Sequence, residues 1–230
     1  MHQHDQHAFA TERKRLYGVY PATVTNLADP AEQGRVKVQL AWFPDHNGGS
    51  YEVWARLAVL MAGDNRGTWF IPDQGDEVLV AFEAGDPRRP YVVGTLWNGQ
   101  DRPPERMDQA QDNFRKSIVS RRNIRITFDD HTGQETLTLT TPTQRIVIND
   151  GEQSIEIQSA TGNTVRLDAS GVTISTGAQV TVQAGAVEVS AGMVTVNAGL
   201  SKFSGVVQAD TVITNAVVSS SYTPGAGNVW

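Results

Sequence analysis

Residues 172–199 read VTISTGAQVTVQAGAVEVSAGMVTVNAG. Pairs of branched residues recur through the stretch: Val172/Ile174, Val180/Val182, Val187/Val189 and Val194/Val196. Their starts lie 8, 7 and 7 residues apart. A seven-residue apolar repeat is the mark of a coiled coil, but a coiled coil needs apolar residues alternately three and four apart. Here the spacings are two and five. Residues i and i+2 point about 200° apart on a helix and to the same side of a strand. Val, Ile and Thr favour strands, whereas Gly177, Gly185, Gly192 and Gly199 would each cost a helix about 1 kcal/mol. Each repeat therefore reads as a short strand with two residues facing inward, followed by a tight corner.

The pattern extends backward through Val165/Leu167, Ile155/Ile157, Ile146/Ile148, Leu137/Leu139 and Ile126/Phe128. From Ile126 onward these pairs start 11, 9, 9, 10 and 7 residues apart, leading into Val172. Gly, Thr, Ser, Asn, Gln and Ala fill the intervals. This internal repeat decides the architecture of the second half. Two inward residues per repeat, at about 1.5–3 kcal/mol each when buried, offset backbone entropy only if other copies enclose them. One chain can close that core as a β-solenoid, or three chains can close it by intertwining. Periodicity alone does not separate the two. The narrow seven-residue face favours three chains around a triangular, Val-filled core.

Outward from the repeat, composition changes near residue 115. Every tryptophan except Trp230 lies before residue 100. Val36, Val38 and Leu40 alternate with Lys37 and Gln39, which is strand period. Val53 to Leu57 and Glu77 to Phe82 are further strand candidates. Turn signals are dense: DP at 29–30, HNGG at 46–49, AGDNRG at 62–67, PDQGDE at 72–77 and GDPRRP at 85–90. Short strands at this spacing predict a small barrel or sandwich. The 230 residues carry 25 acidic and 19 basic side chains, a net charge of −6, which argues against a general nucleic-acid binder. There is no cysteine, so no disulfide or thiolate metal site contributes. No apolar run reaches the length of a membrane-spanning helix.

The stretches DPAEQGRVKVQLAWFPD (29–45), VWARLAV (53–59) and GTWFIPDQGDEVLVAFEAGDPRRPYVVGTLWNG (67–99) resemble the OB-fold domain of phage baseplate assembly protein V. The same pattern occurs in the valine-glycine repeat protein G of type VI secretion. The resemblance implies an all-β chain: an N-terminal OB-fold barrel followed by an intertwined trimeric (triple-stranded) β-helix needle. It implies a homotrimeric central spike under the tube hub, driven through a target envelope by sheath contraction. It also implies a tip protein of the proline-alanine-alanine-arginine repeat type. The expected divisions are a flexible segment at 1–15, the OB-fold domain at 16–100 and a linker at 101–117. The needle follows at 118–218 and a tip-docking segment at 219–230. The chain starts almost at the OB-like stretch, so a separate hub protein is expected. Assembly in the producing cell's cytoplasm and incorporation into a phage tail or a tail-like injection particle follow from the same likeness. The target membrane would be touched only in passing.

The expected trimer core is Val165, Leu167, Val172, Ile174, Val180, Val182, Val187, Val189, Val194 and Val196. The repeat breaks at SSSYTPGAGNVW (219–230), where Tyr222, Pro224, Val229 and Trp230 are candidates for docking the tip protein. No catalytic residue, metal ligand or cofactor is assigned. There is no GxSxG, HExxH or phosphate-loop motif. Asp29, Asp45, Asp64, Asp73, Asp76, Glu77 and Asp86 sit in turn contexts rich in Gly and Pro, where carboxylates serve the backbone. His2, His4 and His7, with Asp5, have the density of a metal site but read as a polar terminus. Trp42, Trp54, Trp69 and Trp97 read as packing residues rather than a base-stacking platform. Arg115, Lys116, Arg121, Arg122 and Arg125 form a basic cluster where the halves join. Two rival readings fare worse. A polysaccharide-degrading β-solenoid enzyme would need an aromatic and acidic groove, yet residues 151–200 hold no aromatic residue. A nucleic-acid-binding OB module would need interleaved basic and aromatic residues.

Overall fold

The computed structural model describes residues 15–44 and 48–220. It divides into two units, Met1–Gln179 and Val180–Trp230. The first unit holds a closed barrel and a separate sheet, and the described part of the second contains no strand.

The barrel is built from β1 (Val19–Asn26), β2 (Val36–Pro44), β3 (Ser50–Leu57), β6 (Glu77–Phe82) and β7 (Pro90–Thr95). A two-residue hairpin, β4 (Ala62–Gly63) and β5 (Arg66–Gly67), sits in the connection after β3. The strands close in the order β1-β2-β3-β7-β6, with β6 returning to β1. All neighbours are antiparallel except β3 and β7. This is the five-stranded Greek-key barrel of an OB fold. Alternation makes the core, as expected for β2 and β6. Val36, Val38 and Leu40 are buried between the half-buried Lys37 and Gln39. Val78, Val80 and Phe82 do the same from β6. Leu16, Ala22, Val24, Ala55 and Val92 complete a core made mainly of valine.

The tryptophans stay outside that core. Trp42 stacks on Tyr20 at 4.7 Å and donates its indole N–H to the Pro21 carbonyl at 3.1 Å. Arg35 lies over Trp54, 5.8 Å from the ring centre. Trp69 and Trp97 are exposed.

Three of the turn carboxylates, Asp29, Asp76 and Asp86, hold the backbone as their contexts predict, while Asp64, Asp73 and Glu77 bind side chains and Asp45 lies outside the described residues. Asp29 accepts from the backbone N–H of Ala31, Gln33 and Arg35 and binds the Arg35 guanidinium at 2.6 Å. The guanidinium, helped by those amides, holds the Asp29 carboxyl well below the usual carboxylate range. Asp76 accepts from the Asp73 amide and Asp86 from the Arg88 amide.

Seven further strands form one antiparallel sheet in strict sequence order: β8 (Arg115–Val119), β9 (Arg125–Asp129), β10 (Thr136–Thr140), β11 (Gln144–Asn149), β12 (Ser154–Ser159), β13 (Thr164–Asp168) and β14 (Gly171–Ser175). Here the architecture is finer than the repeat predicts. The repeat implies that other copies of the repeat, from one coiled chain or from three, enclose each short strand. Instead, each of these strands hydrogen-bonds to its neighbours within the same chain. The reason lies in the interval lengths. Seven to eleven residues hold a five- or six-residue strand and a turn, which between β13 and β14 is only two residues long, and the intervals contain Asp-Gly and Gly-Asn turn residues. Consecutive hairpins also exclude the parallel coil of a solenoid over this stretch. The sheet begins at Arg115, inside the stretch read as a linker. An ion pair between Arg121, after β8, and Asp73, in the turn before β6, joins sheet and barrel.

Candidate self-association surface

Register turns the apolar pairs into two rows on one face of the sheet. Leu137 lies opposite Phe128 and Ile148, and Leu139 opposite Ile126 and Ile146. Ile155 pairs laterally with Ile148 and Leu167, and Ile157 with Ile146 and Val165. Val172 and Ile174 close the rows against Leu167 and Val165. Ile118 extends one row onto β8. The period-2 alternation of a strand puts all of these side chains on the same side.

This face is apolar and open. Phe128, Leu139, Ile148, Ile155, Ile157, Leu167, Val172 and Ile174 are all exposed, and none of the rows' residues is buried. Large contiguous apolar surfaces of this kind mark interaction sites.

The opposite face is largely polar and internally satisfied. Between the apolar pairs lie Thr127, Thr138, Val147, Glu156, Arg166 and Thr173. Arg166 reaches Glu152, Glu156 and Asp168, at 3.7, 3.5 and 2.8 Å. Hydrogen bonds from the Ser170 hydroxyl and from Arg166 push the Asp168 carboxyl down to about 2. One face thus carries its own partners, and the other is left uncovered.

In the unit Val180–Trp230, every described residue is exposed and none belongs to a strand. Val180, Val182, Val187, Val189, Val194 and Val196 all remain open, at 58% to 70% exposure. A segment this rich in branched residues favours strands, and backbone N–H and C=O groups need partners once buried. Alone, it finds no apolar cover.

The structure thus places Val165, Leu167, Val172 and Ile174 on the open face of the sheet, and the other six predicted core residues in the segment beyond it. Ile118, Ile126, Phe128, Leu137, Leu139, Ile146, Ile148, Ile155 and Ile157 share that face. The expected core omits these nine. Most are visible as repeat members, but only register shows that their rows are continuous. Tyr222, Pro224, Val229 and Trp230, like His2, His4 and His7, lie outside the described residues. The basic cluster is largely neutralised within the chain. Glu105 takes both Arg115 and Arg125, Asp129 takes Arg115 at 3.3 Å, and Asp73 takes Arg121. Among the described residues no group of three His, Cys, Asp or Glu side chains could hold a metal ion.

Comparison with known proteins gives this surface a context. The family described as the type VI secretion system/phage-baseplate injector OB domain matches residues 20–97. The phage baseplate V C-terminal trimerisation domain matches residues 136–200. The type VI secretion system spike protein VgrG1a of Pseudomonas aeruginosa is 38% identical over 74 residues, covering 32% of this chain and 12% of that protein. Its VgrG5 spike protein is 38% identical over 104 residues, 42% of this chain and 13% of the relative. The actin cross-linking toxin VgrG1 of Vibrio cholerae is 36% identical over 74 residues, 32% of this chain and 7% of the toxin. The matched stretches therefore span only a small part of these relatives.

Proposed function

Because the chain belongs, through two matched domains that together cover more than half of it, to the phage baseplate V family of injector spikes, we propose that it is the homotrimeric puncturing spike of a contractile injection particle. The family supports a structural spike role, and the trimerisation domain supports self-association. One observation carries the reading further. The uncovered apolar face precedes residue 175 in sequence, a valine-rich segment with no strand among its described residues follows it, and the trimerisation match overlaps both.

Three copies of the open face pack against one another and bury the two rows. At about 1.5–3 kcal/mol per fully buried branched side chain, such rows dominate the assembly energy. Val180, Val182, Val187, Val189, Val194 and Val196 of three chains then enclose one another further along. The mechanism is mechanical. Sheath contraction supplies the work, and a shaft whose strands are hydrogen-bonded around a dry core transmits force without open edges. The chain itself does no catalysis in this reading. A hub protein holds the barrel end, and a tip protein of the proline-alanine-alanine-arginine repeat type sits on Tyr222, Pro224, Val229 and Trp230. The particle assembles in the producing cell and meets the target membrane only during puncture.

The test is a charge on the open face. Leu139→Asp places a carboxylate in the centre of the rows and is expected to lower the mass in solution from three chains to one. Thr138→Asp, one residue away on the polar face, is expected to leave the trimer intact. Equal behaviour of the two variants in light scattering would reject this face as the interface.

A further inference from the structure

The sheet has two edges, β8 and β14. At β8 the preceding segment reaches the polar face: Ser117 donates to Glu105 at 3.2 Å, and Glu105 pairs with Arg115 and with Arg125 of β9. At β14 there is no strand beyond, among the described residues. All five β14 residues are exposed, and Val172 and Ile174, at 67% and 61%, are the most open side chains of the apolar rows. An edge with free N–H and C=O groups is a template for another strand. The next apolar pair after β14 repeats its form: Val172-Thr173-Ile174 is followed by Val180-Thr181-Val182. That second triplet has no strand partner among the described residues of its own chain. The trimerisation match runs from 136 to 200, across the edge and through the triplet.

We infer that in the trimer the Val180–Val182 stretch of a second copy adds to the free edge of β14, so that the ladder within the chain passes there into a ladder between chains. This rests on the trimeric reading above and adds the point of exchange and its register. Throughout the sheet the residue between two paired apolar side chains lies opposite its counterpart. Thr138 faces Thr127 and Val147, Glu156 faces Val147 and Arg166, and Arg166 faces Thr173. The same rule puts Thr173 opposite Thr181 of the second copy. Reversing the added strand leaves the centre of the triplet in place, so the pairing holds for either direction.

The chain has no cysteine, so Thr173→Cys with Thr181→Cys in the full chain introduces the only two thiols. Directly opposed residues on neighbouring strands lie about 4.5–5.5 Å apart between Cα atoms, within disulfide range. Mild oxidation is expected to give covalent trimers on a denaturing gel, which reduction returns to single chains. Thr138→Cys with Thr181→Cys, four strands away, is expected to stay uncrosslinked. A disulfide within one chain, no disulfide, or equal crosslinking of both pairs would overturn the inference. If light scattering shows a trimer in those samples, the trimeric reading survives that failure; a monomeric parent protein would remove both. Hydrogen exchange on the unmodified trimer gives an independent readout. Amides of 171–175 and 180–182 are expected to be protected together, and free exchange there would equally overturn the assignment.

Discussion

At the scale of single residues, the carboxylates of this chain are structural. Asp29 gathers three backbone amides and a guanidinium, and Asp86 and Asp76 hold tight turns in the same way. Their positions among Gly and Pro made that role legible in the sequence. Asp168 is the counterpart in the sheet, bound by Ser170 and Arg166 in the turn between β13 and β14. Its folded carboxyl titrates at about 2 against an ordinary 3.8. A depressed folded value means that the stabilisation is present above the ordinary value and is lost as pH falls through the folded one. Thermal melting of the wild type is therefore expected to fall between about pH 4 and pH 2, and Asp168→Asn is expected to flatten that slope and lower the melting temperature at neutral pH. An unchanged slope would show that the Arg166 cluster holds nothing together. The ion pairs at Glu105 and Asp73 were not legible. Both depend on partners distant in sequence, and Glu105 lies in a stretch that reads as linker.

At the scale of elements, the two-residue spacing inside a seven-residue count is the most informative signal. It separates strand from helix on residue spacing alone, and register then aligns the pairs as far as Val172/Ile174. The same signal is silent about where hydrogen bonds within the chain stop. Val172/Ile174 and Val180/Val182 have identical spacing, yet one pair lies in a strand and the other does not. Interval length does not separate them, since 7 residues lead into β14 and 8 lead out of it; the turn into β14 is held by Asp168, which accepts from the Ser170 amide and hydroxyl. The parallel contact of β3 and β7 was also beyond sequence reading, because it joins strands separated by the whole β4–β6 stretch. Turn packing offers a test at this scale. In the turn after β11, Gly151 lies so close to the turn after β9 that a Cβ would collide with the Gly133 carbonyl oxygen. Both turns are backbone there, so neither side can yield cheaply. Gly151→Ala is expected to destabilise the sheet by about 1–3 kcal/mol, read as a lowered melting temperature. An unaltered melting curve would mean that the two turns are free to separate.

At the scale of the whole molecule, the barrel is finished within one chain and the second half is not. The barrel closes on a buried core of Val, Leu and Ala. The sheet pairs its strands within the chain but leaves its apolar face and its β14 edge open, and the described segment from Val180 onward has neither strand partners nor apolar cover. That gradient of incompleteness is what a self-associating needle requires and what an isolated enzyme or binding module would avoid. Fold alone would not decide this, since OB barrels serve many functions. The family membership and the open face together support it. The tip-docking proposal belongs at this scale too. Deleting residues 222–230 is expected to abolish capture of a tip protein while leaving the trimer intact, and retained capture would move the docking site elsewhere.

The central claim is that three chains close around the rows of Ile, Leu and Val. The mass of the unmodified protein in solution, by light scattering with and without SDS at room temperature, tests it most directly. The account predicts three times the 25.0 kDa of one chain, persisting in SDS until the sample is heated. A clean single-chain mass without detergent would contradict it.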